Sequence, residues 1–202
     1  MTKQKGEVNL VNTKSICLVS LFAALTAVGA YIKIPIPYVP FTLQLLFCVL
    51  AGLLLGPKLG ALSQIVYVAT GLLGVPIFAE GGGPLYIFKP TFGYLIGFIV
   101  CAYVAGYISH LKQSRNISTN IIGSLIGLFF VYLLGVSYLY VIYNVYLKIS
   151  KTISWALYWG FLVCVPGDIF LCIVASIVAK RLKPMLEKIL IINTGYLQDI
   201  KE

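Results

Sequence analysis

Apolar residues in this chain come in long blocks, with polar ones confined to the gaps between them. Charge-free stretches cover residues 15–32, 41–56, 59–79, 91–109 and 117–147, and a sixth, 155–179, carries the single charge of Asp168. About 20 helical residues cross the ~30 Å hydrocarbon layer of a bilayer, so the pattern predicts six crossings. The second block is short. The fifth is longer than one crossing needs, and its ends are expected in the interfaces. The fold expected is therefore all-α, an integral membrane bundle of six transmembrane helices at 15–182. An N-terminal segment (1–14) and a C-terminal tail (183–202) flank it.

Composition agrees with lipid as the solvent. The chain has 202 residues, 60% of them hydrophobic and 10% charged, with mean hydropathy +0.97, against roughly 45–50% apolar residues in soluble domains. Its start, basic and then apolar, resembles a signal peptide in outline. The apolar run continues past the ~7–15 residues of such a region, so a first crossing fits better.

The net charge of +9 would suit a nucleic-acid binder, but the cations sit at block ends, as membrane topology requires, rather than along a phosphate-tracking groove. Six crossings put both termini on one side. Eleven of the fifteen Lys and Arg residues fall there: Lys3, Lys5, Lys14, Lys58, Lys112, Arg115, Lys180, Arg181, Lys183, Lys188 and Lys201. Lys33, Lys89, Lys148 and Lys151 fall opposite. The positive-inside rule then places both termini in the cytoplasm and the chain in the cell membrane, with lipid as its surroundings.

Classes of chemistry can be excluded on residue supply. His110 is the sole histidine and falls at a block end, and the five cysteines lie inside apolar runs without zinc-type spacing. No metal site is expected, and the cysteines read as small packing residues. No Gly-Lys dipeptide is present, so the chain has no P-loop. No internal repeat is evident, which gives no support to an inverted-repeat carrier.

Asp168 is the first candidate for function. It lies in "CVPGDIF", deep in an apolar block, where an ionised carboxylate costs at least ~2.5–3.5 kcal/mol unless paired or solvated. Pro166 lacks an amide hydrogen and leaves the Leu162 carbonyl without its helical partner; Gly167 admits close approach. A broken helix lining a polar cavity follows, with Asp168 accepting N–H groups of a ligand or, alternatively, holding two helices together.

The second candidate is the outer segment "FAEGGGPLYIFKPTFGY", Phe78 to Tyr94. Gly81, Gly82 and Gly83 permit positive φ and close backbone approach. Phe78, Tyr86 and Tyr94 offer ring faces, Lys89 a cation, and Thr91 a cap for the next helix. The same residues also suit a flexible linker with an interfacial aromatic belt. Pro35, Pro37 and Pro40 stiffen another outer connection into an extended segment. After it, Thr42 and Gln44 are two apart, so at most one is expected to face a cavity. Tyr143 and Asn144 are weaker candidates of the same kind. In "LFAALTAVGA", Ala23 and Ala27 share a small-residue face suited to packing within the bundle or to docking another membrane protein.

Taken together, "LFAALTAVGAYIKIPIPYVPFTLQLLFCVLAGLLLGPKLGALSQIVY", "GLLGVPIFAEGGGPLYIFKPTFGYLIGF" and "VPGDIF" resemble the BioY family, the biotin-specific substrate-binding components of energy-coupling factor (ECF) transporters. The resemblance covers most of residues 15–182. It implies a six-helix protein that binds biotin in an outward cavity, without catalysis or a cofactor of its own. The implied partners are a transmembrane coupling subunit, docked on the Ala23 and Ala27 face, and two cytoplasmic ATPases that alone use ATP. Asp168 would accept the ureido N–H groups. Phe78, Tyr86 and Tyr94 would pack the ring and tail, and Lys89 or a backbone amide of the glycine run would meet the carboxylate. Many relatives carry a lysine three residues after the aspartate; Leu171 stands there, which leaves that role to a neutral donor such as Asn144 or a tyrosine. Two other readings stand beside this one: a proton-coupled secondary carrier titrating Asp168, and a membrane enzyme acting on lipid.

Overall fold

The computed structural model describes residues 13–111 and 117–198. Most of the N-terminal segment with Lys3 and Lys5, the connection with Lys112 and Arg115, and the last four residues with Lys201 lie outside the described residues. Helix α1 (Thr13–Tyr31) leads into a short antiparallel ladder, β1 (Lys33–Ile34) and β2 (Phe41–Thr42), with Lys33 opposite Thr42 and Ile34 opposite Phe41. Helix α2 (Gln44–Leu72) follows, then a 3-10 turn (Pro84–Phe88), α3 (Phe92–Leu111) and α4 (Ile117–Val141), which a π-turn extends (Ile142–Tyr146). Helix α5 (Ile153–Leu157) runs through a second π-turn (Tyr158–Leu162) into α6 (Val165–Gln198). Beyond residue 182, where a separate tail is expected, α6 continues through Pro184.

Among the described residues, five helical stretches are long and apolar enough to cross a membrane: Thr13–Tyr31, Gln44–Leu72, Phe92–His110, Ile117–Tyr146 and Ile153–Leu186. The second takes the place of two predicted blocks. Gly56 adopts φ 83°, ψ 179°, outside helical space, and Pro57 follows it. The chain reverses there: Gln44 Nε2 lies 2.6 Å from Tyr67 Oη, although a straight helix would hold residues 23 apart at roughly 35 Å. The second leg stops at Leu72, short of the predicted end at residue 79. Gly74 at φ 110° and then Pro76 cannot continue a helix, and Leu73 is 86% exposed. Residues 73–79 therefore form a loop, whose apolar residues include Phe78, buried in the core, and Ala79.

Small residues bring the helices close. A Cβ added to Gly52 would lie 2.3 Å from the Ala102 carbonyl oxygen, and one on Gly97 would lie 2.7 Å from Val131 Cα. Backbone thus touches backbone along α3, which packs against α2 on one side and α4 on the other, with α6 closing against both of those. In lipid, such packing replaces the hydrophobic drive between helices. Cys48, Cys101 and Cys172 are fully buried in these contacts and Cys164 nearly so, all as free thiols. Cys17 differs from its expected packing role, being exposed on α1. The outer flanks carry large apolar side chains such as Phe129 and Phe170, 60% and 64% exposed.

Candidate ligand-binding site

The three connections Lys33–Thr42, 73–91 and 147–152 gather at one end of the bundle. Tyr38 contacts the rings of Trp155 and Trp159 edge-on at 4.8 and 5.4 Å. It does so with φ 70°, a backbone state that costs a non-glycine residue about 1 kcal/mol or more. Tyr31 donates to the Pro76 carbonyl, and Tyr138 to that of Ile87. Beneath these connections lies a cavity of about 590 Å³ of atom-free space, its open mouth included.

At its inner wall stands Asp168, in the first turn of α6. The helix break expected at Pro166 is present as the π-turn followed by a two-residue turn before Val165. Cys164 N donates to Phe161 O at 3.1 Å, and the Gly160 carbonyl instead accepts from Tyr94 Oη at 2.7 Å. The Tyr94 hydroxyl is therefore taken up by the helix, and its ring is what faces the hollow. Phe41 lies against Gly167, where an added Cβ would come within 2.6 Å of its ring. Tyr132, from the middle of α4, donates its hydroxyl to Asp168 Oδ2. No lysine or arginine lines the cavity among the described residues, so Asp168 has a neutral partner and one oxygen left over.

A second polar wall is a relay. Thr42 Oγ1 donates to Gln44 Oε1 at 2.9 Å, Gln44 Nε2 to Tyr67 Oη at 2.6 Å, and Tyr67 Oη to the Ile77 carbonyl at 3.1 Å. Both Thr42 and Gln44 line the cavity, against the expectation of at most one. Thr42 is on a strand and Gln44 opens a helix, so helical spacing does not relate them. Tyr86 also lines the cavity and lies 3.1 Å from Thr91 Oγ1. Burial pushes its phenol up to about 12. The Thr91 hydroxyl, expected to cap α3, meets this phenol.

Other residues anticipated for the site lie around the cavity without reaching it. Phe78 is buried behind the wall, 4.5 Å from the Tyr86 ring centre and 5.4 Å from that of Tyr67. Gly82 and Gly83 shape the loop: a Cβ on Gly82 would strike the Val75 carbonyl at 2.2 Å, and Gly83, at φ 104°, donates its N–H to Gly71 O at 2.7 Å. Lys89 is partly exposed, 3.4 Å from a Glu80 carboxylate oxygen, 2.7 Å from the Glu80 carbonyl and 5.1 Å from the Tyr86 ring centre. Asn144 is engaged in the α4–α5 turn, donating to Tyr140 O and Lys151 O and accepting from Lys151 N.

On α1, Ala23 is buried against the bundle and Ala27 half-buried, whereas Ser20, Ala24 and Val28 are exposed. The shared face of Ala23 and Ala27 thus turns inward, because Phe22, Thr26 and Ala30 on the same side complete the core. Tyr132, Phe41 and Cys164 were not singled out in the sequence. The only signal for Tyr132 was a hydroxyl in the middle of an apolar block.

The sequence model described as the BioY family matches residues 1–188. The chain belongs to the BioY family. A protein of Lysinibacillus sphaericus named a probable biotin transporter BioY is 46% identical over 171 residues, 85% of this chain and 87% of that protein. A biotin transporter BioY of Thermotoga maritima is 40% identical over 167 residues, 82% and 93% of the respective chains. A crystal structure of the S-component for biotin from an ECF-type ABC transporter superposes with a TM-score of 0.76 at 27% identity, covering 88% of this chain and 95% of that one. These BioY relatives are named as transporters, and the chain is accordingly no enzyme but a multi-pass membrane protein of a transport family.

Proposed function

We propose that this BioY protein is the biotin-capturing component of an ECF-type uptake system. The observation that carries the reading is a half-buried carboxylate with a tyrosine as its partner and no cation beside it among the described residues, set in a largely apolar cavity of a chain whose relatives are named biotin transporters. A bicyclic urea matches that wall: its N–H groups donate to the free oxygen of Asp168 in a charge-assisted bond, and its apolar ring and sulfur pack against Tyr94, Phe41 and Phe98. The Gln44 relay and the Tyr86 hydroxyl supply the remaining polar contacts.

In this reading α2 contributes two crossings, a count supported by its reversal at Gly56, and the chain crosses the membrane six times with both termini in the cytoplasm. A transmembrane coupling subunit and two ATPases provide the energy. Ala23 is packed inward, so the face of α1 offered to the coupling subunit is that of Ser20, Ala24 and Val28.

Labelled biotin is expected to be retained by the purified protein and displaced by unlabelled biotin, but not by riboflavin or thiamine. Retention no greater than that of riboflavin or thiamine would remove the substrate assignment. Asn144→Ala should lower stability by about 1–3 kcal/mol through three lost hydrogen bonds, seen as a lower melting temperature, with biotin affinity changed less than about twofold. A loss of affinity at unchanged melting would instead place Asn144 in the site.

A further inference from the structure

We infer that Lys33, at the rim of the cavity, is the group that recognises the ligand's carboxylate. The inference rests on the biotin reading and goes beyond it, because biotin carries an anionic tail opposite its ureido head and none of the described residues lining the cavity is a cation that could meet it.

The lining holds one ionisable carboxyl group, Asp168, and neither lysine nor arginine among the described residues. A ligand carboxylate brought near Asp168 is repelled in a medium of low dielectric, so a molecule with its N–H groups at Asp168 extends its anionic end toward the mouth. Four cations stand at that end of the bundle. Lys89 is already matched by Glu80 at 3.4 Å. Lys148 and Lys151 belong to the α4–α5 turn, none of whose residues lines the cavity, and the Lys151 ammonium lies over the Trp155 ring at 4.8 Å.

Lys33 is placed differently, by two independent contacts. In the β1–β2 ladder it is directly opposite Thr42, a cavity-lining residue, and cross-strand partners project to the same face. Its ammonium donates to the Ala79 carbonyl at 2.5 Å, and Ala79 also lines the cavity. No carboxylate lies within ion-pair distance of it among the described residues. An ammonium has three N–H donors, so one bond to Ala79 leaves two for an incoming carboxylate. The same bond holds the 73–91 loop against β1, so arrival of the anion at Lys33 also braces the rim.

The test compares biotin with biotinamide, its neutral primary amide, on the full-length protein. Lys33→Gln is expected to weaken biotin about three- to tenfold, the range for a partly solvated ion pair with hydrogen bonds, and to change biotinamide less than about twofold. Lys33→Arg should restore the preference for the acid. Lys89→Gln should leave the ratio of the two affinities unchanged. Equal losses for both ligands in Lys33→Gln would show a tether for the loop and overturn the assignment, as would unchanged biotin affinity or a ratio that moves with Lys89 instead. Wild-type protein that binds biotinamide as well as biotin would overturn the assignment while leaving the biotin reading intact. Wild-type protein that binds neither would remove both.

Discussion

Asp168→Asn is expected to weaken biotin binding by about 1.5–3 kcal/mol, roughly ten- to a hundredfold, the loss of a hydrogen bond to a charged acceptor. The amide keeps one carbonyl oxygen, so part of the contact survives. Its NH₂ group, however, replaces an acceptor with a donor, either toward the Tyr132 hydroxyl, which now donates to Oδ2, or toward the ureido N–H. Turned toward the ureido N–H, the NH₂ group sets donor against donor; turned toward Tyr132, it donates to the phenol oxygen and leaves the Tyr132 proton without its acceptor, and in either case the charge that strengthened the ureido bond is gone. Titration calorimetry on the purified variant, with melting temperature as a control for folding, reads the effect. Unchanged affinity would mean that Asp168 serves only to join α6 to α4. Tyr132 is the arbiter between the two roles, since it reaches the carboxylate from α4 and satisfies one oxygen without neutralising the charge.

Gly52→Val should cost about 3 kcal/mol or more, at or beyond the usual range for overpacking. The reason is what the new side chain meets. A Cβ at Gly52 would stand 2.3 Å from the Ala102 carbonyl oxygen, which is backbone inside α3 and cannot rotate away as a side chain would. Gly60 and Gly106 crowd the same spot, their own added Cβ atoms falling within 2.8 Å of Gly52 Cα and 2.7 Å of Gly52 O. Separation of α2 from α3 would also distort the Gln44 relay, so binding and stability should fall together. Thermal melting and monodispersity in detergent measure the loss. Ile122→Val, at a site 53% exposed on the flank of α4, should leave both unchanged. A Gly52→Val protein that melts like the wild type would refute the backbone contact.

Much of the architecture could be read from the chain, since a bilayer demands long uncharged helical blocks and pushes charge to their ends. The reversal at Gly56-Pro57 falls at the gap that Lys58 opens between two uncharged blocks; the positive φ of Gly56 before proline, which ends the helix there, appears only in the structure. The end of that second block was not legible. Residues 73–79 form an apolar loop that sends Phe78 into the core, and hydropathy does not separate apolar loop from apolar helix. Asp168 and its broken helix were legible from Pro166 and Gly167 in an otherwise uncharged block.

What was not legible shares a cause: spacing gives relative direction, not absolute direction. Ala23 and Ala27 do share a face, but only the packing of Phe22, Thr26 and Ala30 shows that the face points inward. Gln44 and Thr42 both reach the cavity because a strand ends and a helix begins between them. Lys89 stands beside Glu80, nine positions earlier, because the glycine turn folds the two together, which no spacing along the chain shows. Tyr132 carries no local mark in an aromatic-rich block, and its role exists only through α6.

The most direct measurement is a crystal structure with biotin bound. A ureido nitrogen is expected within hydrogen-bond distance of the Asp168 carboxylate, the bicyclic ring against Tyr94 and Phe41, and the valerate tail directed to the Lys33 rim. A biotin whose ring system lies elsewhere, with Asp168 still closed against Tyr132 and no ligand atom beside it, would contradict that arrangement.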